Sequence, residues 1–155
     1  MTRLQAYENT RHVLQEVKRF HIELSQMYER LADRTCCERT RMLLTYMQRR
    51  EQKLAAALAF YEDVAPDAAL DAWFQIPFPE NLDDFLRLVS TDVAMDVMQA
   101  QQLISRADAF LIALLEHVAS KVNAAEVKAL FDDLLDIERQ EEKALSKAIN
   151  SLREF

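Results

Sequence analysis

Residues 47–58 read MQRREQKLAAAL. Met47, Leu54 and Leu58 recur at helical spacing and form an apolar stripe, and Glu51 falls on that same stripe. A carboxylate facing a core is costly unless a proton, a counter-charge or a metal meets it. The fold of the whole chain follows from asking what else is periodic and what stands opposite Glu51.

The same periodicity recurs three more times. Val13, Val17, Phe20, Leu24, Met27 and Leu31 alternate spacings of four and three, which predicts a first helix over about 4–33. A second helix is expected over about 37–62, with Leu43, Met47, Leu54, Leu58 and Tyr61 inward. A third, with Val93, Val97, Ile104, Leu111, Leu115 and Val118 inward, runs to about Val122. Asn123 with Glu126 resembles a capping box for a fourth, whose inner face is Leu130, Leu134, Ile137, Leu145 and Ala148. The methionines at 27, 42, 47, 95 and 98 read as core filling.

All three prolines, Pro66, Pro77 and Pro79, fall between the second and third helices, with Trp73, Phe74, Ile76 and Phe78 among them. Prolines forbid one continuous helix there, and the aromatics predict a connector that packs down, with Trp73 against the bundle. The expected architecture is all-α: an antiparallel four-helix bundle in a single domain. Its helical hairpins span about 4–62 and 82–153, with one long crossover over about 63–81. The chain has no glycine, so tight hairpins are disfavoured, and Asn or Asp must serve wherever a left-handed residue is needed.

Composition narrows function. The formal net charge of −7 assembles no basic face for a phosphate backbone, so nucleic acid is not expected as a partner. The longest apolar run, AFLIALL at 109–115, is too short to cross a bilayer, and the start MTRLQAYENTRH lacks the apolar stretch of a signal peptide. A cytoplasmic location is the expectation. Without glycine there is no nucleotide-binding loop or nucleophile elbow. Cys36 and Cys37, the only cysteines, read as reduced thiols near a helix start. His12 and His117 sit beside exposed charges and read as surface residues. Phe74, Ile76 and Phe78 exceed what one connector buries, which suggests a homodimer.

The two halves resemble each other when the first is slid forward by about 87 positions. Val17 then meets Ile104, Leu24 meets Leu111, Leu43 meets Leu130 and Leu58 meets Leu145. The polar intruders match as well: His21 meets Asp108, and Glu51 meets Glu138. Each helix thus brings a polar group to a similar depth, and Glu141 lies on the same inner face as Glu138. Two sets of roles stand open for them. Glu51 either pairs with His21 inside the bundle or extends to solvent beside Arg50, while Asp108 with Arg106 and Glu138 with Arg139 edge their helices. In the other set, a divalent cation sits among oxygen and imidazole ligands.

The phrases YERLADRTCCERTRMLLTYMQRREQKL and LFDDLLDIERQEEKALSKAI resemble the first hairpin and last helix of the rubrerythrin-like branch of the ferritin-like superfamily. The likeness covers roughly residues 10–62 and 90–152. It implies a four-helix bundle around a di-iron or di-manganese centre, with a carboxylate from helices one and three and a Glu-x-x-His pair from helices two and four. Carried over residue by residue, the metal candidates are His21, Glu51, Asp108, Glu138 and Glu141. Leu54 stands where the family has one histidine, Glu141 where it has the other, and His21 replaces a carboxylate. The expectation is a bundle that has lost its di-iron centre and acts as a non-catalytic structural or interaction protein, with divalent metal at low occupancy at most. The alternative is a metal-binding protein holding iron, manganese or zinc, with redox or metal-handling activity.

Overall fold

The computed structural model describes residues 7–75, 82–89 and 93–153. Among these the chain is helical apart from one short strand pairing. In order the elements are β1 (Tyr7–Asn9), α1 (Thr10–Arg34), α2 (Glu38–Val64), α3 (Asp67–Leu70), β2 (Trp73–Gln75), α4 (Leu82–Arg87), α5 (Val97–Lys121) and α6 (Ala125–Arg153). The all-α class is as the sequence predicts. No described helix is long and apolar enough to cross a membrane.

α1 starts where Asn9 accepts a hydrogen bond from the His12 N–H at 2.8 Å, satisfying one of the free donors of the first turn. Every residue of its apolar stripe is buried, as are Leu43, Met47, Leu54 and Leu58 of α2. α2 stops at Val64 because Ala65 precedes Pro66 and is forced out of the helical region, to ψ 145°. α1 lies along α2, α5 lies along α6, and α2 also touches both α5 and α6. Their apolar faces meet in one core, where Phe20 sits 5.9 Å from both Phe85 and Phe110 between ring centroids. Phe85 thereby anchors α4. Arg19 of α1 fastens the same short helix by an ion pair to Asp83 at 2.8 Å.

The absence of glycine is met differently from expectation. No described residue has a positive φ. α1, α2 and α5 instead end on extended residues, Thr35, Ala65 and Val122, each donating its N–H four residues back. Helices that finish this way need no left-handed cap.

Several boundaries and burials depart from the sequence reading. α5 begins at Val97, not further upstream, because Asp96 and Gln99 form a reciprocal capping box. Val93 therefore precedes the helix and is 47% exposed. At α6 the Lys128 N–H bonds to the Ala124 carbonyl, so the helix starts one residue beyond the position in which Asn123 would cap it. Trp73 is 69% exposed rather than packed on the bundle. Its segment is held by backbone pairing, with Trp73 opposite Asn9 and the Thr10 N–H bonded to the Ala72 carbonyl at 3.0 Å. Met42 and Met98 are exposed, whereas Met27 and Met47 are core. The side chain of Phe74, and Ile76 and Phe78 altogether, lie outside the described residues. Cys36 and Cys37 are exposed free thiols.

Candidate functional site: a buried charge network

Glu51 is fully buried at the middle of α2, and its counter-charges come from two directions. One carboxylate oxygen, Oε2, meets His21 Nδ1 of α1. The other, Oε1, accepts from Arg50 Nη2 at 3.0 Å. Arg50 in turn forks onto Asp108 of α5, with Nη1 donating to Oδ2 at 3.1 Å and Nη2 to Oδ1. The second ring nitrogen of His21, Nε2, faces Glu138 Oε1 of α6 at 2.9 Å. All five side chains are buried. Each of the four long helices thus contributes to one continuous network.

The local geometry of α2 explains how two neighbours in sequence both point inward. Arg50 lies seven residues after Leu43, and Glu51 seven after Leu44. Leu43 and Leu44 are both fully buried, so α2 presents two adjacent heptad rows to the core. Only one of the two sequence alternatives for Glu51 involves Arg50, and it sets both toward solvent; the structure buries Arg50 to 4% exposure. The heptad from Leu43 was the available signal. Arg50 also falls opposite Ile137 under the 87-residue shift, so the cation belongs to one half only.

Charge states follow from the contacts. Both imidazole nitrogens face carboxylates, so both donate and the ring is an imidazolium. Burial alone would lower the His21 pKa, but the charges and hydrogen bonds of Glu51 and Glu138 outweigh it and raise the pKa to about 10. Burial likewise opposes ionisation of Glu51, yet His21 and Arg50 hold its carboxyl below the usual range. Asp108 is pushed up to about 6, chiefly by burial, with Arg50 pulling the other way. The count is two cations, His21 and Arg50, against three carboxylates, Glu51, Asp108 and Glu138. Tyr28, one heptad after His21, is wholly buried, and its hydroxyl and Arg50 Nε make no hydrogen bond among the described residues. Burial, then the charges of Glu51 and Asp108, push the Tyr28 pKa well above that of a free phenol.

Of the five sequence-named candidates, four therefore converge: His21, Glu51, Asp108 and Glu138. Glu141 does not. It turns to Lys53 of α2, with Nζ at 2.7 Å, where the lysine is largely exposed. Asp108 and Glu138 do not merely edge their helices. His12 is half-buried and lies 3.7 Å from Glu16, and His117 is also half-buried, so neither is a plain surface residue.

The residues present do not suit a di-metal centre. Arg50 fills the space between Glu51 and Asp108, both nitrogens of His21 are committed as donors, and a buried Leu54, which offers no ligand atom, stands where the resemblance would put a histidine. A cation added beside two resident cations is repelled by both. Beside Glu138 a cavity of about 10 Å³, otherwise lined by apolar side chains including Leu54, Leu115 and Leu134, has room for little more than one water molecule. Among the described residues no group of three or more His, Cys, Asp or Glu has metal-holding geometry. Compared with family models, curated proteins and solved structures, the chain matches none.

Proposed function

We propose that this protein is a divergent ferritin-like antiparallel four-helix bundle in which an internal ion-pair network stands where the di-metal centre was. On this reading α1–α2 and α5–α6 are its two hairpins, and the crossover expected over about 63–81 joins them, lengthened because α5 starts at Val97 and not near residue 82. It serves as a non-catalytic structural or interaction protein. The observation that carries the reading is the Arg50 guanidinium, buried and forked between Glu51 and Asp108. A side chain in that position neutralises acids that a metal would otherwise hold. The internal similarity of the halves, with His21 over Asp108 and Glu51 over Glu138, supports the ancestry.

A second reading has one observation in its favour: His21, Glu51, Asp108 and Glu138 still meet at one depth of the bundle. It makes the protein a metal handler that binds iron, manganese or zinc when the network opens. Metal analysis separates the two. Protein purified without chelators or a metal-affinity tag is expected to carry well under one equivalent of iron, manganese or zinc. A full two equivalents of iron would overturn the first reading.

The exposed apolar side chains Phe60, Val64, Trp73, Leu88 and Met98 support self-association into a homodimer. Sedimentation at micromolar concentration is expected to give twice the monomer mass. A purely monomeric species would remove this part of the proposal.

A further inference from the structure

The loop from α1 to α2 carries two exposed free thiols, Cys36 and Cys37. Cys37 is the N-cap of α2, yet as a neutral thiol it makes no side-chain cap. Donors of the first turn therefore lack the acceptor that a serine or aspartate would supply there. Thr40 Oγ1, wholly buried in that turn, has no hydrogen-bond partner among the described residues either. A thiolate at Cys37 is an acceptor for both kinds of donor. We propose that Cys37 is a nucleophilic thiol and a modification site, which exchanges with small disulfides and keeps one half of them as a mixed disulfide.

The strongest influence on the Cys37 thiol is the Thr40 side chain. With the N–H groups of Thr40 and Arg39, and the Arg39 charge, it holds the thiol below its usual range. The one carboxylate in the first turn of α2, Glu38, is drawn instead to Arg41 Nη1 at 2.6 Å. The loop itself is fixed. The Cys37 N–H donates to Thr35 Oγ1 at 3.2 Å, and that hydroxyl donates to the Met95 carbonyl at 3.0 Å. Arg41 Nη2 donates to the Thr35 carbonyl at 2.8 Å. An exposed sulfur thus stands on a braced turn, ready for attack on an incoming disulfide.

In the exchange the Cys37 thiolate attacks one sulfur of the disulfide. A new S–S bond forms, the old one breaks, and the departing half leaves as a thiolate with the electron pair. Cys36 is poorly placed to displace the half that stays. Adjacent Cα atoms joined by a trans peptide lie only about 3.8 Å apart, closer than the roughly 4.4–6.8 Å of ordinary disulfides. The mixed disulfide therefore persists until an outside thiol removes it.

The test uses oxidised glutathione as the probe on full-length protein at pH 7, with adduct formation followed by intact mass. Serine suits both positions, the N-cap included, so Cys36→Ser and Cys37→Ser are expected to keep the fold. Cys36→Ser, which retains Cys37, is expected to take up one glutathione about fivefold faster than Cys37→Ser. Placed on Cys36→Ser, Thr40→Val should remove most of that advantage and Thr40→Ser should restore it. Wild type should hold one glutathione and not convert to an internal disulfide. Equal rates for the two single variants, or a faster Cys37→Ser, would overturn Cys37 as the nucleophile. An unchanged rate in Thr40→Val would overturn the part given to Thr40. A wild-type product that is oxidised but free of glutathione would overturn the persistent mixed disulfide.

Discussion

Glu51→Ala is expected to cost roughly 3–5 kcal/mol of unfolding free energy, the scale for breaking a buried ion pair from one side. The carboxylate bonds to both resident cations, so its loss leaves His21 with Glu138 alone and Arg50 with Asp108 alone, at positions water does not reach. The removed side chain also leaves a cavity in a packed centre, which adds to the loss. Glu141→Ala provides the contrast. Its partner Lys53 is largely exposed, and its removal should change stability by no more than about 0.5 kcal/mol. Replacing the network as a whole should behave differently again. A variant carrying His21→Leu, Arg50→Met, Glu51→Leu, Asp108→Leu and Glu138→Leu is expected to be as stable as wild type or more so, since apolar packing often outperforms a buried ionic cluster. Denaturant unfolding of the three variants measures the series. A Glu51→Ala loss no larger than that of Glu141→Ala would contradict the network's role in holding the bundle.

The second large effect is on pH dependence. A base whose pKa is higher in the folded state binds its proton more tightly there. The stability it contributes is complete below the unfolded value and is lost as pH rises through the folded one. For His21 that window runs from 6.5 to about 10, and the loss across it is on the order of 5 kcal/mol. Asp108 acts in a lower window with the same slope. Its folded pKa of about 6 lies above the ordinary 3.8, so the folded state holds the proton longer and stability falls as pH rises between those values. Glu51 has the opposite sign. Its pKa is lowered from 4.5, so the stability it lends is present above that value and disappears in acid. The net expectation is a bundle that weakens steadily from about pH 6.5 to 10, with a separate loss at low pH. Urea midpoints measured across this range check it, and His21→Gln should flatten the alkaline limb. A wild-type midpoint constant from pH 7 to 9.5 would contradict the buried imidazolium.

The contrast between Glu51 and Arg50 shows how far the sequence was legible. Glu51 stood out because it interrupts a row of Met and Leu at fixed spacing, and a carboxylate there demands an explanation. His21, Asp108 and Glu138 stood out the same way, and the structure brings all four to one depth. Arg50 carries no such signal. An arginine beside a glutamate on a helix normally extends its long stem and keeps its head in water, and only the heptad from Leu43 places it inward. Glu141 erred in the other direction. It shares the inner face with Glu138, but it pairs with Lys53 of α2 and not with the network, and periodicity along one helix cannot report a partner on another. The start of α5 was missed for a local reason: Val93 continues the heptad of Val97 and Ile104, yet Asp96 and Gln99 form a better helix start. Trp73 was misplaced because its hydrophobicity suggested burial, while a few backbone bonds to the chain's beginning suffice to fix its segment.

The charge state of His21 tests the account of the network most directly. A core neutralised by its own side chains requires an imidazolium with both nitrogens protonated, one toward Glu51 and one toward Glu138. Ring nitrogen chemical shifts of histidine-labelled protein, with His21 assigned by comparison with His21→Gln, read that state at pH 8. The predicted result is a pair of equivalent protonated-type nitrogens for His21 that persists unchanged on adding a chelator. A neutral ring with one unprotonated nitrogen, or a ring whose shifts move when metal is removed, would contradict it.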